Sequence, residues 1–235
     1  MSATSPSLGR RVCAWSVHLF TASGAVLGFL ALLAAEAGSW RIAFAWLLLS
    51  LIVDGADGWL ARRVGVKEVL PHFDGHLVDY VVDYFTYVIV PALIAYRAGL
   101  FPPALGLTAT AFILLVATYT YGNLGAKTDD GYFVCFPGLW NILIFFLFVL
   151  GLGPAVNVAV VAVFGVLSFV PVHFVHPFRV SDRPGLARAA GLLLGAACVL
   201  LLWQQPTPSR LLVVFAAATI LFYLGLGVVR TLRRT

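Results

Sequence analysis

The sequence predicts an all-α fold, a polytopic membrane helix bundle of about eight transmembrane helices, and three observations predict it. The chain of 235 residues is 61% hydrophobic and only 11% charged, with a mean hydropathy of +0.98, far more apolar than a soluble domain of this size needs. The apolar residues are gathered into runs long enough to cross a bilayer. The Lys and Arg residues stand at the ends of those runs, so the net charge of +5 reads as anchorage toward anionic lipid and not as a nucleic-acid groove.

Taken in order, a polar leader from Met1 to Gly9 is followed by Arg10, Arg11 and an apolar run to about Ala35. Ala35-Glu36-Ala37 has the look of a signal-peptidase site, but the apolar stretch is longer than a typical signal core, so an uncleaved first span is expected. Further runs lie at about 42–61, 77–96, 102–122, 136–153, 155–177, 185–203 and 209–229. Pro137, Pro154, Pro184 and Pro208 stand near the starts of the last four, where a missing N–H costs nothing. No linker, repeat or low-complexity segment divides the chain, which reads as one domain over residues 1–235. Cys13, Cys135 and Cys198 are far apart, in or beside apolar runs, and read as small packing residues.

Orientation follows from the distribution of basic residues over the short loops. With eight spans, both termini and the loops after spans two, four and six share one side. That side collects Arg10, Arg11, Arg62, Arg63, Lys67, Lys127, Arg179, Arg183, Arg188, Arg230, Arg233 and Arg234, against Arg41, Arg97 and Arg210 on the other. Both termini, and the membrane face where the second run ends and the third begins, are therefore expected on the cytoplasmic side.

The chemistry is concentrated between the second and third runs. Asp54 and Asp57 are three residues apart at the end of one run, and Asp79 and Asp83 four apart at the start of the next. Either spacing puts a pair on one helix face. Ionisable groups at such depth are costly and point to function. Carboxylates are hard oxygen ligands suited to Mg²⁺ or Mn²⁺, and two divalent ions would neutralise four aspartates in a site suited to displacement at phosphorus. Gly58 and Ala61 leave room for close approach of a ligand or backbone, and Arg62 offers a planar donor for phosphate or carboxylate.

The order Asp54, Asp57, Gly58, Ala61, Arg62, Gly75, Asp79, Asp83 closely resembles the signature of the CDP-alcohol phosphatidyltransferases, membrane enzymes of phospholipid synthesis. That resemblance implies Asp54, Asp57, Asp79 and Asp83 as ligands of two divalent ions (Mn²⁺ or Mg²⁺), and Asp83 as the general base. It further implies that Asp54, Gly58, Ala61, Arg62 and Gly75 bind the cytidine diphosphate moiety. The common pattern has a shorter spacing than the twelve residues from Arg63 to Asp74. The longer spacing, the eight spans and, more loosely, the stretch from Ala126 to Asn141 resemble the bacterial phosphatidylcholine synthase branch, which condenses CDP-diacylglycerol with choline and releases CMP. Family members usually pair as homodimers, so a homodimer is expected.

A quaternary ammonium donates no hydrogen bond and is held over aromatic faces. Tyr80, Tyr84 and Tyr119 are the candidate choline contacts, and Trp59, Tyr87, Tyr121 and Trp140 lie nearby in sequence, although Tyr and Trp also gather at any membrane interface. His72 and His76 read as a solvated interfacial pair or as phosphate or metal contacts. His173 and His176, beside Arg179, suit helix-end compensation or phosphate binding. Lys127, Asp129 and Asp130 form a charged turn or a gate for choline, and Asp74 is expected to cap a helix. Arg63 and Lys67 read as topology anchors, and Glu36 as interfacial. Two rival functions are weighed. A relative taking serine, inositol or glycerol 3-phosphate conflicts with the twelve-residue spacing. A divalent-cation transporter would carry acidic groups across its other spans, which here are nearly free of them.

Overall fold

The computed structural model describes residues 6–123, 125, 128, 130–181 and 184–234. The chain is a multi-pass membrane protein. Five helices are long and apolar enough to cross a membrane, Leu8–Glu36, Trp40–Val64, Gly75–Arg97, Pro184–Trp203 and Arg210–Arg233, and three shorter apolar helices lie at Gly106–Gly122, Trp140–Leu150 and Pro154–Leu167. Each of the eight expected runs therefore contains a helix. The chain forms two compact units, Met1–Val90 and Pro91–Thr235, taken separately below.

In the first unit, α1 (Leu8–Glu36) and α2 (Trp40–Val64) form a hairpin. Ser7 caps the start of α1, and Gly38, at a φ of +68, turns the chain into α2. The buried face of α1 is a stripe of mostly small residues, Ala14, Val17, Thr21, Gly24, Gly28, Ala31 and Ala35, at helical spacing. Against it α2 buries Ala43, Phe44, Leu47, Ser50, Val53 and Asp57. Small faces let helices approach where lipid offers no hydrophobic drive to associate. Gly24 and Gly28 are the clearest cases. A Cβ on Gly24 would lie 2.6 Å from Val82 Cγ1, and one on Gly28 would lie 2.8 Å from Phe85 and Thr86.

The residues between α2 and the third span are anchored. Gly65 ends α2 in the left-handed conformation, and a single turn, α3 (Val66–Val69), follows. Val66 and Val69 pack with Ala14 and Val17 of α1 and with Leu60, Ala61, Val64 and Leu70. The long spacing thus contains a turn of helix clamped onto the start of α1. Asp74 then caps α4 (Gly75–Asp83), its Oδ1 accepting from the His76 and Leu77 amides at 3.0 and 3.2 Å, as its sequence position suggests.

Beyond α4 the helix widens into a π segment, Tyr84–Ile89, before continuing as α5 (Val90–Arg97). Pro91 accounts for it: proline has no N–H to donate, and its ring collides with the carbonyl four residues back. The Val90 amide bonds to the Phe85 carbonyl five residues behind it, so one extra residue is accommodated in the turn.

The second unit contains α6 (Gly106–Gly122), β1 (Tyr132–Val134), α7 (Trp140–Leu150), α8 (Pro154–Leu167), β2 (His173–Val175), α9 (Pro184–Trp203) and α10 (Arg210–Arg234). Two of the expected runs are cut short. The run at 136–153 is helical only from Trp140 to Leu150, because Pro137 and Gly138, at a φ of +72, keep its start out of helix. The run at 155–177 is helical only to Leu167, and its last residues form β2, antiparallel to β1 with Phe133 opposite Phe174. Pro171 and the β-branched Val170, Val172 and Val175 favour extended backbone there. Thr231 Oγ1 of α10 accepts from the His173 amide at 2.9 Å, and Tyr223 donates to the Ala187 carbonyl of α9 at 2.6 Å. Asn157, fully buried in α8, donates to the Leu100 carbonyl at 2.8 Å.

Replacing Gly24 or Gly28 by Leu should lower stability by about 1–3 kcal/mol or more, since backbone must move to admit the side chain. Gly195→Ala, where a Cβ meets nothing within 4 Å, should leave stability unchanged or slightly raised. Thermal melting of the detergent-solubilised protein separates the two outcomes.

Candidate active site

The aspartates are brought together by two helices. Asp54 and Asp57 stand on the last third of α2, and Asp79 on the first turns of α4. Each of these three offers a carboxylate oxygen, and the three oxygens lie within 4.8 Å of one another. Ionised carboxylates this close repel by on the order of 3–4 kcal/mol per pair at an effective dielectric constant near 20, so the cluster is poised for a cation. Three hard, anionic oxygen donors converging on one point suit a divalent ion such as Mg²⁺ or Mn²⁺. Asp83 stands one turn further along α4, half-buried, outside that converging group.

The cluster is held by its neighbours. Tyr87 Oη donates to Asp54 Oδ2 at 2.6 Å. Tyr87 is buried and lies within the π segment, so the widened turn sets where its hydroxyl falls. Asp57 is buried at 6% exposure and lies beside Thr21 of α1, whose hydroxyl donates to the Val17 carbonyl at 3.3 Å. The first span therefore contributes to the site directly.

The other motif positions surround this cluster. Ala61 packs in the apolar cluster of α1 and α3, and Arg62 is exposed one turn beyond Gly58. Gly75 opens α4 against His18 of α1: a Cβ there would lie 2.6 Å from His18 Cε1. The His18 ring forms a cluster with Phe73 and Trp15, its centroid 4.4 Å from Phe73 and 5.8 Å from Trp15, which themselves lie 5.0 Å apart. Its Nε2 is buried and, among the described residues, finds no hydrogen-bond partner, which ordinarily costs about 1–3 kcal/mol.

Of the aromatic candidates, Tyr80 is exposed on α4 and Tyr84 is half-buried at the start of the π segment. The Trp59 ring is covered by the Arg63 guanidinium, 5.1 Å from its centroid. In the second unit, Tyr119 packs on Phe169 at 4.5 Å, Tyr121 lies against Gly138, and Trp140 is wholly buried beside Phe136. His173 bonds to Thr231, and His176 stacks on Phe133 at 5.4 Å while its Nδ1 accepts from the Phe178 amide. Asp130 forms an ion pair with Arg230, whose guanidinium also lies over the Tyr132 ring. His72 and His76 are exposed. Lys127 and Asp129 lie outside the described residues.

Sequence reading missed Thr21 and His18. The available signal was His18, an ionisable side chain within the first apolar span, of the kind that is rare in membrane helices and points to function or a partner. Tyr87 was noticed only as an aromatic; its bond to Asp54 depends on the π segment.

Fold and site together define a multi-pass membrane protein with a carboxylate cluster for a divalent cation between its second and third spans. No protein-family model matches the chain. Among curated proteins it is 40% identical over 220 residues to a phosphatidylcholine synthase of Pseudomonas aeruginosa, spanning 94% of this chain and 92% of the relative. It is 38% identical to that of Agrobacterium fabrum over 89% of this chain and 88% of the relative, and 33% identical to that of Legionella pneumophila over 96% and 91%. The chain belongs to the phosphatidylcholine synthase family and is a phosphatidyltransferase.

If the Tyr87 hydroxyl positions Asp54 as a cation ligand, Tyr87→Phe should fold normally yet bind a divalent ion about 10- to 100-fold more weakly, as outer-shell partners of metal ligands generally do. Titration of Mn²⁺ into the purified protein measures this directly.

Proposed function

We propose that this enzyme joins CDP-diacylglycerol to choline, giving phosphatidylcholine and CMP, in a site built on the eight motif residues of a single domain, 1–235. The observation that carries the proposal is the convergence of Asp54, Asp57 and Asp79 in a chain of this family. These three would hold a divalent cation, with Asp83 near enough along the same helix to join a second one. Bound there, the ions would neutralise charge on the diphosphate and on the departing CMP.

The residues divide the remaining work. Asp83 accepts the proton of the choline hydroxyl. The freed oxygen attacks the phosphorus that bears the diacylglycerol, and the bond from that phosphorus to the bridging oxygen of CMP breaks, so CMP departs with the electron pair. Arg62 and the space left by Gly58, Ala61 and Gly75 receive the cytidine diphosphate portion, and no covalent enzyme intermediate is formed. Tyr80 and Tyr84, four residues apart and flanking Asp83 on one helix, offer aromatic faces to the trimethylammonium group, with Tyr119 as a further candidate. The basic residues near the start of α1 and the end of α2 suit a cytoplasmic orientation of this end, with both termini on that side. The enzyme is proposed to work as a homodimer in the bacterial inner membrane.

Offered choline, serine, inositol or glycerol 3-phosphate separately with CDP-diacylglycerol and Mn²⁺ or Mg²⁺, the purified enzyme should release CMP with choline alone. Chelation by EDTA should abolish turnover and re-addition of the ion restore it. Asp79→Asn should lose activity by at least about a hundredfold through lost metal, and Asp83→Asn by at least about a hundredfold with the ion at Asp54, Asp57 and Asp79 still bound. Turnover with another alcohol overturns the choline assignment, and near-normal turnover of Asp83→Asn removes it as the base.

A further inference from the structure

We propose that His18, on the first span, is a binding residue for the nucleotide half of the lipid substrate, its Nε2 hydrogen-bonding the cytidine diphosphate moiety. The inference rests on the reading of the site as one for a CDP-lipid. Among the described residues of the first unit, His18 Nε2 is the buried side-chain nitrogen that finds no hydrogen-bond partner, in a side chain only 8% exposed. A buried group left unsatisfied by the chain calls for a partner from outside it, a solvent molecule or a ligand, and the surroundings of His18 decide between them.

Its position says what that is. The edge of the ring carrying both nitrogens faces Gly75, whose hypothetical Cβ would stand 2.6 Å from Cε1, 3.2 Å from Nδ1 and 3.8 Å from Nε2. The motif glycine at the start of α4 is thus the clearance for His18. One turn along α1, on the same buried face, Thr21 lies beside Asp57 of α2, and one turn along α4, Gly75 is followed by Asp79. His18 therefore stands about one helical turn, roughly 5 Å, from the carboxylate cluster, on the side where Ala61 and Gly75 lie. Phosphate oxygens reaching past the cations would arrive there. The amides of the first turn of α4 do not compete, since those of His76 and Leu77 are taken by Asp74 and that of Gly75 bonds to the Phe73 carbonyl. Trp15 and Phe73 pack on the ring and on each other in a three-ring cluster, centroids 4.4 to 5.8 Å apart, and neither supplies Nε2 with a hydrogen-bond partner.

The test is titration of CDP, with Mn²⁺ present, into the full chain in detergent for wild type, His18→Gln, His18→Asn and His18→Phe, alongside melting temperatures and the KM for each substrate. Glutamine extends an amide N–H to the position of Nε2 and should keep CDP affinity within about threefold, while asparagine, too short, and phenylalanine, lacking a donor, should weaken it about 10- to 100-fold. The KM for choline should not change. His18→Phe should melt at or above the wild-type temperature, because it removes an unpaired buried nitrogen. Equal CDP affinity for the glutamine, asparagine and wild-type proteins overturns the inference, as does a lowered melting temperature with unaltered CDP affinity. Should the phenylalanine variant fail to fold, the glutamine and asparagine pair decides. A wild-type protein that neither binds CDP nor releases CMP overturns the proposed function itself. One that does both, with an unaffected asparagine variant, overturns the role of His18 alone.

Discussion

Three carboxylates on two helices, their oxygens within 4.8 Å, repel one another, and the first unit is arranged to hold them together regardless. The close seating of α1 on α4 and the π segment depends on Gly24 and Gly28, where added side chains would strike Val82, Phe85 and Thr86. That seating keeps α4 near α2. Tyr87 donates to Asp54, and Asp57 is buried on the α2 face beside Thr21, so two of the three carboxylates are fixed in place by neighbours from other turns of the unit. The packing resists a repulsion that a bound divalent cation would turn into attraction.

Much of this was legible in the sequence because helical period and charge operate locally. Asp54 and Asp57, or Asp79 and Asp83, announce a shared face at a spacing of three or four, and apolar runs announce spans. Asp74 followed by Gly75 announced the helix cap, which the structure contains. That Asp54 and Asp57 on α2 meet Asp79 on α4 with oxygens within 4.8 Å is a tertiary fact; period gives the face of a helix but not the distance across to its neighbour. The contribution of α1 stayed hidden for the same reason, since Thr21 and His18 reach the motif only through tertiary packing.

Two further departures have local causes with distant consequences. Pro91 widens the helix into a π segment, and one added residue in a turn changes which side chain faces α2, bringing Tyr87 to Asp54. A run such as 155–177 looks helical by apolarity alone, and the strand at its end exists because residues 173–175 pair with 132–134 some forty positions earlier. A short apolar segment cannot declare strand or helix by itself. The long spacing between Arg62 and Gly75 likewise holds a helical turn, whose two buried valines bind it to α1.

The polar side chains of the two units differ in kind. In the second, Asp130 pairs with Arg230, His173 with Thr231, and Tyr223 with a backbone carbonyl, so charge and hydroxyl are used to fasten helices to the small sheet and to each other. In the first, carboxylates are concentrated in one cluster; buried side-chain atoms that find no hydrogen-bond partner among the described residues occur in both units, His18 Nε2 in the first and Trp140 Nε1, Asn157 Oδ1, Gln205 Nε2 and Arg230 Nε in the second. Unbalanced charge and unmet hydrogen-bonding capacity are costly unless a ligand completes them. The same reasoning narrows the proposed choline contacts. Trp140 is wholly buried and the face of Trp59 is covered by Arg63. Tyr80 and Tyr84 remain on the helix that carries Asp79 and Asp83, and Tyr80, three residues before Asp83, shares its face, an aromatic ring and a proton acceptor side by side that suit a small alcohol bearing a permanent cation.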